Sequence, residues 1–416
     1  MILTDLAMNP LLHKADRLLV VLSDIEMGAG GPYDDFPHSD RLAELIASYC
    51  EPPFNEMNVE LVFNGDTFDL LKTAYLETYP RHMTRDVALG KMARVSAAHP
   101  RFFEGLRYFL QSGSSSSHGH AKGTRRVTFT VGNHDPELIF DEVQQFVRSL
   151  CGGSSEVYFP GLTYDVGRVR IEHGAQYDPI FRMDPDALLV RFNNDEVLNI
   201  SWGAVALLDA VIPLQPLLHF HDRLRPKKEL FRLMPELKEL MHDVFWQYWT
   251  RDYWHGYFNR SDPTKKVSWS MVKELAWRWG FREPDVALEG TPQQQLVASD
   301  ARRLYVVGHQ HQAGSWSYGN RKFLQSGCLR NEYMLANEGK KLEPIVKSFI
   351  EVYMRGDEPI VSQLLEFEGP PAPPGHIPES IFDVLGAVRE IIAKNRSTET
   401  HAAQREQEER ERQSKN

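Results

Sequence analysis

Five short stretches of this chain carry side chains that can bind metal ions or move protons. They read Asp24-Ile25-Glu26, Gly65-Asp66-Thr67-Phe68-Asp69, Gly132-Asn133-His134-Asp135, His173-Gly174 and Gly308-His309-Gln310-His311. The donors are carboxylate, amide and imidazole. That mixture suits Mn, Fe or Zn, whereas Ca prefers all-oxygen cages and soft sites use thiolates. Glycines in four of the five stretches allow tight turns that aim neighbouring side chains at one point.

Each stretch closes a run rich in Leu, Val, Ile or Phe: Arg17–Asp24, Glu60–Asp66, Arg126–Asp135, Val169–Gly174 and Leu304–His311. Such runs read as buried strands that end in polar loops. In α/β folds ligands gather where strands end at their carboxyl termini. Between the runs, Asp40–Tyr49 and Phe102–Leu110 carry apolar residues at helical spacing. The fold class expected is α/β. Taken singly, each piece has an ordinary explanation: a structural histidine for His173, a turn for the Gly65–Asp69 stretch, a strand end with surface histidines for His309 and His311. Asp135 reads as a turn or supporting residue. The joint occurrence in one chain points to a site.

Together the five stretches resemble the signature of the calcineurin-like metallophosphoesterases: DxH, GDxxD, GNH(D/E), a lone H often followed by G, and GHxH. The resemblance covers about residues 17–177 and 301–367. It implies a four-layer α/β/β/α sandwich. It implies a first metal held by Asp24, Asp66 and His311. It implies a second held by Asp66, which bridges, with Asn133, His173 and His309. His134 would lie near the leaving-group oxygen, oriented by Asp69, as general acid or electrostatic stabiliser. A water or hydroxide bridging two cations about 3.5–4 Å apart would attack phosphorus in line. The cofactors so implied are two divalent ions, Mn2+ first, with Fe, Zn or Mg as alternatives.

One position departs from the pattern. The third residue of the first motif is Glu26 where the family has His. A glutamate reaches about as far as the distal imidazole nitrogen, so Glu26 is expected as a ligand of the first metal. Its charge beside Asp24 and Asp66 would favour harder ions such as Mn2+ or Mg2+. The alternative is a Glu26 that points away, with a weak or absent first metal.

The long segment after His173-Gly174 is similar in placement to the cap of bacterial UDP-2,3-diacylglucosamine hydrolases, and Ile171–Pro179 looks like an EHGHQYDP segment found in a broader group of bacterial phosphoesterases, with Ala175 at the second His. The hydrolases have Arg after GN, where this chain has His134, and their insertion is shorter. A lipid-nucleotide pyrophosphatase is therefore an alternative function. A ligand-depleted scaffold or binding protein is another, and Glu26 is the one feature that supports it. Val197–Phe220 is the most apolar part of the insertion and reads as a core helix of the cap or an interfacial element. Tyr248, Trp249, Tyr253, Trp254, Tyr257 and Phe258 form an aromatic cluster there. Arg182 and Arg330 are left outside the catalytic set.

The rest of the chain frames this site. Lys and Arg number 47 against 57 Asp and Glu, a net charge of −10. That balance argues against sequence-blind nucleic-acid binding, which draws on basic residues. The three cysteines, Cys50, Cys151 and Cys328, are far apart and odd in number, so no disulfide framework is expected. The N-terminal segment is interrupted by charges and reads as lacking a signal peptide. No apolar run is long enough for a membrane span. The expected location is cytoplasmic. The expected partner is a phosphorylated small-molecule or lipid-linked substrate, with peripheral membrane contact through the cap as an option. The organisation expected is a core over 1–177 and 301–369, a helical cap over 178–300, and a linker, helix and tail over 370–416. His118 and His120 read as loop residues.

Overall fold

The computed structural model describes residues 14–31, 34–113, 123–208, 223–233, 301–339 and 341–369, with isolated positions between 212 and 298. His118 and His120, most of the cap segment with its aromatic cluster apart from Trp254, and the 370–416 tail lie outside those residues.

The strands, in chain order, are β1 (Arg17–Leu22), β2 (Asn58–Asn64), β3 (Arg125–Thr130), β4 (Val157–Gly161), β5 (Thr163–Val166), β6 (Val169–Glu172), β7 (Leu189–Phe192) and β8 (Asp195–Leu198). They continue as β9 (Leu224–Arg225), β10 (Leu304–Val307), β11 (Ala313–Tyr318), β12 (Arg321–Ser326), β13 (Tyr333–Ala336), β14 (Lys341–Pro344), β15 (Ser348–Arg355) and β16 (Glu358–Glu366). One sheet has the order β16-β15-β1-β2-β3-β4, and a second has the order β11-β12-β10-β6-β5. In the first, β1 to β4 run parallel. In the second, β10 lies between β12 and β6 and is parallel to both.

The two sheets face each other. Leu19 and Val21 of β1, with Ile350 and Val352 of β15, share an apolar cluster with Val169, Ile171, Leu304 and Val306 of the second sheet. The other face of β1, Leu18, Val20 and Leu22, packs into a separate core. A strand covered on both sides needs apolar residues at every position, which is why β1 reads RLLVVL without alternation. That second core holds the helices Ser39–Ser48, Arg85–Ala98, Pro100–Ser112 and Asp141–Leu150 through residues such as Leu42, Met92, Phe102 and Val143. Local chemistry starts two of them. Thr84 accepts the Val87 N–H at 3.4 Å as an N-cap. Pro100 opens the next helix, where its missing N–H costs nothing.

The architecture is thus α/β, and three of the four expected layers are present among the described residues. Tyr305, Val307 and Phe323 form a small cluster on the far side of the second sheet. The helical layer expected over that side is not among the described residues.

The start of the segment expected to be helical is a β-hairpin. β7 and β8 pair antiparallel about Asn193 and Asn194, which have φ of 48° and 71°. Two adjacent left-handed residues suit a tight hairpin turn, and asparagine tolerates that region well. A short helix, Trp202–Ala206, follows and is capped by Ser201. Among the described residues no helix is long and apolar enough to cross a membrane.

A smaller compact unit includes, among the described residues, 223–233, 332–339 and 341–345. Its described part is a three-stranded sheet in the order β14-β13-β9 with the helix Lys227–Leu233. Arg225 donates to Glu332 at 3.0 Å within it.

Candidate active site

β1, β2 and β3 are parallel neighbours, so the loops that follow them emerge at one edge of the first sheet. β6 and β10 are parallel neighbours in the second sheet and do the same. Hydrogen bonds between loops tie the two sets together. The Asp24 N–H donates to Gly65 O at 3.3 Å and the Glu26 N–H to Asp66 O at 2.8 Å. Asn64 Nδ2 donates to Glu172 O at 2.9 Å, and the Gly308 N–H donates to His173 O at 2.9 Å.

The site residues sit in backbone conformations that few side chains adopt. Asp24, Glu26, Asp66, His309 and His311 have φ of 52°, 54°, 48°, 70° and 58°. They are five of the eleven non-glycine residues with positive φ among those described. Left-handed conformations cost free energy and gather where function demands a fixed direction. Glycines make room beside them. A Cβ on Gly132 would run into Asp66 Oδ1, and one on Gly65 would come within 2.6 Å of the His173 ring.

All nine residues singled out by the sequence converge. His173 Nε2 lies 3.1 Å from Asp66 Oδ2 and 3.1 Å from Asn133 Oδ1. Its Nδ1 is 3.1 Å from the Asn64 carbonyl, which fixes the ring and reserves Nε2 for the centre of the site. Asp66, His173 and His309 have donor atoms within 4.8 Å of one another and can hold a metal ion. His309 Nε2 is also 3.4 Å from Asp178 Oδ2. On the other side, His311 Nε2 lies 3.2 Å from Asp24 Oδ1 and 3.5 Å from Glu26 Oε1. His134 Nδ1 is 3.0 Å from Asp69 Oδ1, which leaves Nε2 as the nitrogen to be offered outward.

The electrostatics follow from four buried carboxylates, Asp24, Glu26, Asp66 and Asp69. Burial opposes charge on His134, but Glu26, Asp66 and Asp69 outweigh it and hold the imidazole protonated up to about 10. Burial likewise opposes charge on His173, and Asp66 with Asp24 raises it to about 9. Asp66 is held well below the usual carboxylate range: burial works against the charge, and His173 and His134 prevail. Burial, with the Asp66 charge, pushes Asp135 up to about 7.

The donor set fits a divalent cation. With Nδ1–H directed at Asn64 O, a neutral His173 presents a lone pair at Nε2. Once His173 gives up its Nε2 proton, that lone pair would face the Asp66 carboxylate and the Asn133 amide oxygen, so three acceptors would converge without a donor among them. A cation satisfies all three, and imidazole plus oxygen donors suit Mn, Fe or Zn.

Three further residues shape the site: Asp135, which the sequence suggested as a turn or supporting residue, and Lys72 and Arg330, which it did not place there. Asp135 accepts four backbone N–H groups, from Gly132 (2.7 Å), Thr67 (2.8 Å), Asp66 (3.2 Å) and Phe68 (3.4 Å), and so shapes two of the loops. Lys72 Nζ reaches Glu26 Oε2 at 2.9 Å, Asp35 Oδ2 at 2.8 Å and Asp69 Oδ2 at 3.0 Å. Arg330, set aside from the sequence, is 1 % exposed, and its Nη1 lies 2.7 and 2.6 Å from the two oxygens of Glu26. The available signal for Lys72 was its place three residues after Asp69; for Arg330 none existed beyond its position after a strand.

No protein-family model matches the chain, and no curated protein matches it. Solved structures do. Zinc-bound Vps29 from Entamoeba histolytica is 9% identical with a TM-score of 0.25, covering 84% of this chain and 99% of that one. A conserved uncharacterized protein from Streptococcus pneumoniae, described as a predicted phosphoesterase, is 11% identical with a TM-score of 0.22, covering 84% and 97%. The phosphopantetheinyl hydrolase of Mycobacterium tuberculosis is 11% identical with a TM-score of 0.24, covering 76% and 91%. Likeness at this level assigns no activity.

Proposed function

We propose that this protein is a metal-dependent phosphoesterase that hydrolyses a phosphorylated small molecule. The observation that carries the reading is the arrangement about Asp66. On one side Asp66 Oδ2, Asn133 Oδ1 and His173 Nε2 converge on a cation-binding point, with His309 beside them. On the other, the His134–Asp69 pair offers a proton.

Asp66, Asn133, His173 and His309 would hold the ion, and Mn2+ is the metal we assign from the mixed nitrogen and oxygen donors. A bound divalent ion supplies Lewis acidity to a phosphoryl oxygen and makes a water more acidic. The remaining work falls to the chain. His134 is charged at neutral pH, because three carboxylates favour the imidazolium. Asp69 accepts from Nδ1 and fixes the ring, so Nε2–H can donate to the oxygen that leaves phosphorus. In the reaction the P–O bond to the leaving group breaks and that oxygen takes the His134 proton; a water oxygen becomes bonded to phosphorus, and the proton that water gives up passes to solvent, from which His134 is reprotonated.

The test is turnover of p-nitrophenyl phosphate and bis-p-nitrophenyl phosphate with added Mn2+. We expect hydrolysis of at least one by the wild type and loss of it in His173→Ala. No hydrolysis with any divalent metal, in a sample that binds none, refutes the reading.

A further inference from the structure

The surroundings of Glu26 lead beyond that reading. Glu26 is fully buried, yet its carboxylate is already engaged by fixed positive charge. Arg330 Nη1 contacts both oxygens, and Lys72 Nζ contacts one. Lys72 is held in turn by Asp35 and Asp69, and Arg330 Nη1 lies 3.6 Å from Asp35 Oδ2. Guanidinium and ammonium groups so placed cannot swing away cheaply, because each would leave buried carboxylates unpaired.

This is the side of the site where the resemblance puts a first metal, held by Asp24, Asp66 and His311, with Glu26 expected as a further ligand. An ion ligated there by Glu26 would share a carboxylate with a guanidinium, in a buried region that strengthens the repulsion between them. The opposite side differs. There Asp66, Asn133, His173 and His309 bring oxygen and nitrogen acceptors together.

We propose that this chain carries a single-ion centre at Asp66, Asn133, His173 and His309, and that Arg330 and Lys72, fixed on Glu26, supply the positive charge for which the resembled family uses its other metal. The proposal rests on the phosphoesterase reading above. It makes Arg330 and Lys72 positioning residues, which hold Glu26 and set how many ions the site accepts.

The test is metal stoichiometry, read on the full chain after metal removal, reloading with Mn2+ and desalting, with Mn2+ electron paramagnetic resonance in parallel. The wild type should retain one ion per chain with an isolated-ion spectrum. Lys72→Met and Arg330→Met should raise the content toward two and give the spectrum of an exchange-coupled pair. Arg330 is buried and its variant can fail to fold, so Lys72→Met, with a partly exposed side chain, carries the decision. Glu26→Gln should keep its one ion. Two ions per wild-type chain overturn this proposal, and if that sample turns over phosphoesters the functional reading still stands. One ion in a folded Lys72→Met also overturns it, as does loss of the ion in Glu26→Gln. A wild type that binds no ion and has no turnover overturns both.

Discussion

One carboxylate joins the two halves of the candidate site: Asp66 Oδ1 accepts the backbone N–H of His134 at 2.7 Å, while Oδ2 of the same group faces His173 Nε2 at 3.1 Å. The proposed cation-binding point and the proposed proton donor are therefore set relative to each other by a single side chain. Its backbone is held in turn by Asp135.

The first prediction concerns the proton. His134→Ala should lower kcat by about 10²–10⁴-fold, the range for a lost general acid, while retaining bound metal. An acid works only while protonated, so wild-type activity should fall as pH rises through the His134 value. That value is about 10 in the absence of a cation. A divalent ion beside Asp66 repels the imidazolium, so the alkaline limb should lie below 10. His134→Ala should lose that limb, and a pH–rate profile checks both points.

The second concerns metal affinity. His173 is held protonated up to about 9 when no cation is present, yet a ligand must be neutral. Binding must therefore expel a proton at neutral pH. Affinity for Mn2+ should rise as pH increases from 6 toward 9 and level off above it. Calorimetry in buffers of different ionisation enthalpy should detect the released proton. A pH-independent affinity with no proton release contradicts the assignment of His173.

The third concerns the loop scaffold. Asp135→Ala leaves four buried backbone N–H groups without their acceptor, and each such loss is costly. We expect a loss of about 3 kcal/mol or more in unfolding free energy. Asp135→Asn keeps one acceptor oxygen and should lose less. Denaturant unfolding of the two variants gives the comparison.

The fourth concerns Gly132. Its Cβ position coincides with the Asp66 carboxylate, so Gly132→Ala must displace Asp66 or the loop. The variant should remain folded and lose metal binding, which circular dichroism and metal analysis would show.

How far the chain could be read in advance depended on whether a signal was local. β1 and β10 were legible because strands buried on both faces are near-continuous apolar runs, and β2, β3 and β6 because Val, Leu, Ile or Phe precede a polar turn in each. That the nine candidate residues would come together was legible because each loop packs its chemistry within five residues behind a strand, often next to a glycine that close approach requires. The β7–β8 hairpin was missed because its four-residue strands are short and the surrounding tryptophan-rich sequence suggested helix. The pairing of Glu26 with Arg330 was not legible at all. The two residues are 304 positions apart and meet only because the fold brings the Asp24 carbonyl to the Leu329 and Arg330 N–H groups. Residue type could place Glu26 at the site but not reveal what neutralises it.

The most direct measurement is a titration of metal-free protein with Mn2+, following bound metal and phosphoester hydrolysis in one sample. The account predicts no turnover before addition, a rate that rises in proportion to occupancy, and a plateau when the site is full. Turnover that precedes metal addition, or a filled site that hydrolyses no phosphoester, would contradict it.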